Sequence, residues 1–214
     1  MADIRVSPAV IDDFERADEN PIALPWTKNW SAGGTIACEL SSGILHSPAI
    51  NPATSGQSFY SAESYTQDGG SIVEAWGLAS GQIPQAESTR FGLCDDAAGM
   101  NGYICRCENP VGDNPWTIRK YVNGTASEIA QNSNFTLPEA GDYCLMQLTD
   151  TAVNCYYAQN GDTENWTLVV SAADTTFRSN LFLHFGGNGS NPGWEAVGGG
   201  KELELSQIYR RPGE

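Results

Sequence analysis

Short runs of alternating apolar and polar residues, each cut off by Gly, Pro, Asn or Asp, follow one another from the first apolar run of this chain to its last. Val10 to Phe14 opens the series, and Glu202-Leu203-Glu204-Leu205-Ser206-Gln207-Ile208 closes it. Period-two alternation places every second side chain on one face of a strand, and no segment repeats its apolar residues at helical spacing. About a dozen short strands joined by turns predict an all-β sandwich whose first and last strands can pair within one sheet. The 214 residues suit one large β domain rather than two small ones, and 40% apolar residues can fill its core. Residues 10 to 211 are expected to form the sandwich, after an N-terminal arm of residues 1 to 9 and before a tail of residues 212 to 214.

The first strand is expected to run from Val10 to Arg16, with Asp12 and Phe14 on one face and Ile11 and Asp13 on the other. Ser31-Ala-Gly-Gly-Thr35 and Leu40-Ser-Ser-Gly-Ile-Leu45 read as a strand pair. Further strands are expected around Ser58–Tyr60, Ser71–Leu78, Thr89–Leu93, Gly102–Cys107 and Trp116–Val122. Asn123-Gly124 then returns the chain through Ala126 to Ala130, because a type I′ turn needs φ > 0 at both central positions. A second hairpin joins Asp142–Leu148 to Ala152–Ala158, with the turn placed at Thr149-Asp150. That turn would set Cys144 opposite Cys155 and Met146 opposite Val153 on one apolar face. Trp166 to Ser171 and Asn180 to Gly187 complete the strands before a Gly/Asn/Pro-rich loop, Gly186 to Gly200, around Trp194.

Charge narrows the classes of partner. With 26 acidic against 11 basic residues the net charge is −15, which repels a phosphate backbone, so no nucleic-acid binding is expected. Met1 leads into Ala-Asp-Ile-Arg-Val without a basic or apolar leader, and no apolar run is long enough to span a bilayer, so neither export nor membrane insertion is expected of the chain as written. The five Asn-x-Ser/Thr triplets, at Asn29, Asn123, Asn134, Asn165 and Asn188, accordingly read as chance. Six cysteines are too few for a disulfide scaffold at this length and are expected as buried free thiols.

Several pieces occur in order: Asp12-Asp-Phe-x-Arg-Ala-Asp18, Trp30, Arg90-Phe-Gly-Leu, Asn101-Gly-Tyr, Arg119-Lys-Tyr-Val-Asn-Gly, Gly141-Asp-Tyr-Cys-Leu-Met, Asn160-Gly-Asp and the terminal alternating strand. Together they resemble the concanavalin A-like lectin/glucanase jelly roll, a sandwich of two antiparallel sheets. More narrowly they are similar to the laminin-G-like or glucanase-like domains in structural proteins of tailed bacteriophages. The resemblance implies a non-enzymatic virion protein, a capsid decoration or tail-associated adhesion module, assembled in the host cytoplasm. It implies other virion proteins as partners, host-surface glycans as candidate ligands and self-association as an option. A free-standing lectin domain and a glycan hydrolase are the alternatives.

Glucanases of this fold carry Glu-x-Asp-x-x-Glu on one strand, which sets carboxylates on one face for attack and protonation. The nearest match, Glu202-Leu-Glu204, lacks the central Asp and the third acid and lies in the last strand, so no catalytic residue is assigned. His46 and His184 stand in no metal-binding or triad pattern, Cys105-Arg-Cys107 lacks a second pair, and Asp95-Asp96 reads as turn chemistry, so no metal or other cofactor is assigned. Sugar sites stack rings on aromatic faces beside Asn, Asp and Arg. Trp76, Arg90, Trp116 and Trp194 are the candidates for such a site, with Asn114 and Asn191 nearby in sequence. In the arm, Ile4 and Val6 share a face and are the candidate anchors to a protein partner.

Overall fold

A computed structural model describes residues 10–28, 38–47, 55–60, 62–95, 101–110, 115–188 and 193–203. The strands are β1 (Val10–Asp12), β2 (Trp26–Lys28), β3 (Glu39–Ser41), β4 (Ile44–His46), β5 (Ser55–Tyr60), β6 (Ser71–Ala79), β7 (Ser88–Cys94) and β8 (Gly102–Glu108). They continue with β9 (Trp116–Val122), β10 (Thr125–Asn132), β11 (Tyr143–Leu148), β12 (Val153–Ala158), β13 (Thr167–Ala172), β14 (Phe182–Asn188) and β15 (Trp194–Leu203). Two antiparallel sheets result, one ordered β13-β12-β11-β6-β15-β4-β3 with β1 also on β15, the other β10-β9-β8-β7-β14-β5-β2. The first and last strands pair, Val10 facing Gly198, as strand-rich ends allow. Among the described residues no helix is long and apolar enough to cross a membrane.

An unbroken series of aromatic contacts runs between the sheets. Phe14 meets Trp26 at 5.8 Å, Trp26 meets Phe185 at 6.2 Å, and Phe185 meets Trp194 at 5.9 Å. Trp194 continues to Phe91 at 5.7 Å, Phe91 to Trp116 at 6.3 Å, and Trp116 to Tyr157 at 6.1 Å. Most of these pairs are edge-to-face, the arrangement that sets a ring's positive rim against its neighbour's negative face. Gly77 makes room for this series, because a Cβ there would lie 2.4 Å from the Trp194 ring.

The Asp-Asp-Phe-x-Arg-Ala-Asp segment is a clamp rather than a long strand. β1 ends at Asp12, and Phe14 takes φ 54°, which turns its ring into the core. Asp12 Oδ1 accepts from Phe14 N at 2.9 Å and from Arg16 Nη1 at 2.6 Å, while Oδ2 accepts from Trp26 Nε1 at 2.7 Å. Arg16 also donates to Glu19, and Asp18 accepts from the backbone N of Ser42.

Three expectations are corrected here. The 143–158 hairpin pairs Met146 with Cys155 and Cys144 with Tyr157, a register two residues from the expected one. Its turn spans 149–152, closed by Thr149 N donating to Ala152 O, and Arg178, Gln67 and Gly70 all bond to Thr149 or Asp150. Those tertiary bonds favour the wider turn, and the even shift keeps the same side chains facing inward. Second, much of the segment expected as a loop is strand: β14 runs on to Asn188 and β15 begins at Trp194, with 189–192 outside the described residues. Glycine serves close approach there, since a Cβ on Gly199 would lie 2.2 Å from Glu74 O. Third, β3 pairs with β4 through Ser42-Gly43, the turn lying inside the segment read as one strand. Ser31–Thr35, Trp30, residues 1–9 with Ile4 and Val6, Glu204 onward and the 212–214 tail lie outside the described residues.

The Asn123-Gly124 turn takes φ 49° and 76° and joins Val122 to Thr125 in register. Replacing Gly124 by Val puts a β-branched side chain into the left-handed region and is expected to cost about 1–2 kcal/mol in chemical denaturation. An unchanged denaturation midpoint would contradict this turn. Asp12→Ala removes the acceptor of three donors and is expected to cost about 1–3 kcal/mol, with Asp12→Asn recovering part of it. Equal stabilities for wild type and Asp12→Ala would show that the clamp holds nothing.

Candidate functional site

Strand parity sorts β7, β8, β9 and β14 into two faces. Phe91, Leu93, Tyr103, Cys105, Cys107, Trp116, Ile118, Leu183 and Phe185 belong to the core, and the alternate residues of the same strands point away from it. On this outward face Cys94, Ile104 and Tyr121 form a small apolar cluster of their own. Beside it one row across the strands reads Gly186, Arg90, Arg106 and Thr117, and the next reads His184, Gly92, Ile104 and Arg119. Three guanidinium groups thus stand on three neighbouring strands.

Their bonding is unequal. Arg106 Nε lies 2.5 Å from Glu108 Oε1 and 3.3 Å from Ser88 Oγ, and Ser88 Oγ in turn donates to Asn188 Oδ1 at 2.6 Å. Arg90 and Arg119 each enclose their Nε without a hydrogen-bond partner among the described residues. Neither is within ion-pair distance of a carboxylate among those residues. Burial, with the neighbouring charge of Arg106 second, pulls the Arg90 pKa down to about 10, so the group is still a cation at neutral pH. Burial likewise lowers Arg106 and raises the Tyr121 phenol.

The residues singled out by sequence do not form one site. Arg90 lies on the outward face of the seven-stranded sheet. Trp116 and Trp194 are 0% exposed in the aromatic series, and Trp116 Nε1 donates to Thr136 O, so these two rings leave the list of stacking candidates. Trp76 lies on the other sheet, 2% exposed and covered by Tyr143 at 5.5 Å, with Trp166 beyond Tyr143. Asp96, Asn114 and Asn191 lie outside the described residues. Sequence reading missed Arg106 and Arg119 as companions of Arg90. The signal was present in Cys105-Arg106-Cys107: two thiols turned inward force the arginine between them outward.

Those thiols meet others across the sandwich, Cys105 contacting Cys155 and Cys107 contacting Cys144. All six cysteines are free and buried, and burial pushes Cys94, Cys105 and Cys144 well above the ordinary thiol range, which keeps them protonated and inert. The acidic turn residues serve local structure: Asp95 accepts from Asn101 N at 2.7 Å and Nδ2 at 2.8 Å, and Asp142 accepts from Tyr157 Oη, Glu139 N and Asn160 N. Glu202 stands in register with Ile72 at the end of β15. No group of three or more His, Cys, Asp or Glu side chains among the described residues is arranged to hold a metal ion.

No family model matches the sequence, and the comparison with curated proteins gives no match. Solved structures match closely enough to show the fold. The exoplasmic/lumenal domain of VIP36 in its Ca2+/Man-bound form has a TM-score of 0.57 at 8% identity, over 84% of this chain and 83% of that one. The CBM2 module of the evolved Dit of Lactobacillus casei BL23 phage J-1 has a TM-score of 0.52 at 8% identity, over 88% and 90%. GH43B of the Bacteroides ovatus xyloglucan PUL has a TM-score of 0.54 at 14% identity over 88% of this chain, which spans only 38% of that protein. The chain therefore has the concanavalin A-like jelly-roll fold, two antiparallel sheets face to face.

His184, on the same face, is 1% exposed, and burial lowers its pKa to about 3 from the ordinary 6.5. Between those values the unfolded chain binds the proton and the folded one does not, so this residue makes stability fall as pH drops from 6.5 toward 3. The loss it causes is on the order of 4 kcal/mol across that window. His184→Gln cannot gain the charge, and its stability measured against pH is expected to decline less steeply through the window than wild type. Parallel acid limbs would refute the assignment.

Proposed function

We propose that this chain is a non-enzymatic carbohydrate-binding module of a bacteriophage particle, with its glycan site on the outward face of the seven-stranded sheet, around Arg90. The observation that carries this reading is the face itself, a row of partly buried guanidinium donors beside Thr117, Ser88, Asn188 and Tyr121. Sugars are bound by planar donors and hydroxyl or amide groups held rigid on a sheet, and strands position such groups more firmly than loops do. The fold adds support, because it is shared with a Ca2+/Man-bound domain and with a module of a phage Dit. The Asp-Asp-Phe-x-Arg-Ala-Asp opening, of the kind frequent in tailed-phage structural proteins, supports the virion context.

The non-enzymatic reading rests on the engagement of the buried acids. Glu74 accepts from Gln147, Asp142 organises a turn, and Glu108 is tied to Arg106. Each of these acids is held by a structural partner, whereas glycoside hydrolysis uses two carboxylates that face the scissile bond. The arm with Ile4 and Val6 is the proposed contact to other virion proteins.

The purified chain is expected to bind polysaccharides from the host cell surface in a glycan array and by calorimetry, and to release no reducing ends from them. Arg90→Ala is expected to weaken the binding at least about ten-fold, the scale of one charge-assisted contact. Absence of binding to any host glycan would overturn the module reading, and released reducing ends would restore the hydrolase.

A further inference from the structure

The glycan-binding reading leaves the ligand open, and the bonding of the three arginines restricts it. Arg90 and Arg106 are direct cross-strand partners, and Arg119 lies one strand and one row further. Like charges placed opposite one another disfavour a sheet unless something lies between or above them. The chain has 26 acidic residues with which to neutralise three cations. Among the described residues one is in contact, Glu108 on Arg106, while Glu128, in register with Arg119, makes no ion pair with it. The same chain pairs Arg16 with both Asp12 and Glu19, and Lys120 with Asp174. The excess of positive charge on this face is a local exception in an acidic protein.

The unpartnered atom is the same at Arg90 and Arg119, the enclosed Nε. Nε–H and the adjacent Nη–H of a guanidinium form a planar fork, and two oxygens in one plane accept both protons at once. Each residue as a whole is only partly buried, so part of each side chain reaches the surface of the sheet, and engagement of the enclosed edge requires its outer torsions to rotate on binding. Gly186, next to Arg90 in the row, adds no side chain that would cover the approach. Asn188, the partly exposed member of the Ser88–Asn188 pair, offers a polar group for a sugar hydroxyl at the end of β14, while the buried Thr117 and Tyr121 back the arginines.

We propose that the ligand is an acidic saccharide whose uronic-acid carboxylates are held by Arg90 and Arg119, with Arg106 fixed between them by Glu108. The inference rests on the glycan-binding reading and names the chemistry of its ligand. A planar carboxylate matches the side-on fork, while a phosphodiester brings a tetrahedral centre with two ester arms to an enclosed edge. A long polyanion meets repulsion from the rest of a surface with net charge −15, so the site suits carboxylates spaced along a sugar chain rather than dense negative charge.

The test is calorimetry of the full chain with four probes: a uronic-acid oligosaccharide, its carboxyl-reduced neutral counterpart, a teichoic-acid phosphodiester and a neutral glucan. The uronate is expected to bind at least about ten-fold more tightly than its reduced counterpart. Arg90→Gln and Arg119→Gln are each expected to lose about ten-fold for the uronate and little for the neutral sugar. Arg90→Lys keeps the charge without the fork and serves where the Gln variant does not fold; it is expected to recover only part of the affinity. Equal binding of acidic and neutral probes would overturn this inference and leave the glycan module standing. Tighter binding of the phosphodiester, or an Arg90→Lys protein with full uronate affinity, would overturn it as well. Binding of none of the four probes, where host polysaccharide does bind, would also remove it, whereas failure with every glycan removes the module reading first.

Discussion

The aromatic series from Phe14 through Trp26, Phe185, Trp194 and Phe91 to Trp116 and Tyr157 is the contact on which the two sheets depend. Its members come from the N-terminal clamp, β2, β14, β15, β7, β9 and β12, so it ties both sheets to the loop that precedes them. Each ring fixes which face of its strand points inward, and strand geometry then assigns every neighbouring residue to the other face. Arg90 is outward because Phe91 is inward, and Arg106 is outward because Cys105 and Cys107 are inward. The candidate site is in this sense the reverse side of the core.

The clamp at Asp12 transmits the same constraint to the chain end. One carboxylate bonds the backbone of Phe14, the guanidinium of Arg16 and the indole of Trp26, so the first two rings of the series are held from outside the core as well as within it. The backbone reversal at Phe14 is what lets β1 pair with β15 while the following segment crosses to the other sheet. Three of the acids in this opening are thereby committed to structure: Asp12 and Glu19 on Arg16, and Asp18 on Ser42.

Much of this was legible in the residues alone, and the exceptions share a cause. The Asn123-Gly124 hairpin could be read because two adjacent residues that tolerate positive φ state the turn locally. The 149–152 turn could not, since Arg178, Gln67 and Gly70 reach it from distant segments and select its width. Glycine was misread at 186–200 because its frequent role in loops outweighs its rarer role in strands packed against a ring or a carbonyl. Trp116 and Trp194 suggested a sugar platform, but ring size also makes tryptophan a strong core residue, and neighbours along the chain do not reveal which use applies. Arg90 was singled out by its chemistry. Its companions required pairing across β7, β8 and β9, which no single stretch of sequence displays.

A cationic patch in a protein of net charge −15 raises the question of which field an approaching ligand feels. At physiological ionic strength charges separated by more than about 8 Å are largely screened, so the distant acids contribute little at the sheet face. The arginines, adjacent on neighbouring strands and partly withdrawn from water, are screened far less. The two fields therefore separate by range. Dilution of salt extends the repulsive field of the whole molecule toward a polyanion, while the short-range attraction of the three guanidinium groups changes less. A ligand with sparse charges gains from the patch without meeting the full surface, and the same geometry disfavours a densely charged polymer. On the proposed reading, selectivity for charge spacing follows from the placement of a small positive cluster on an acidic body, with no further contact required.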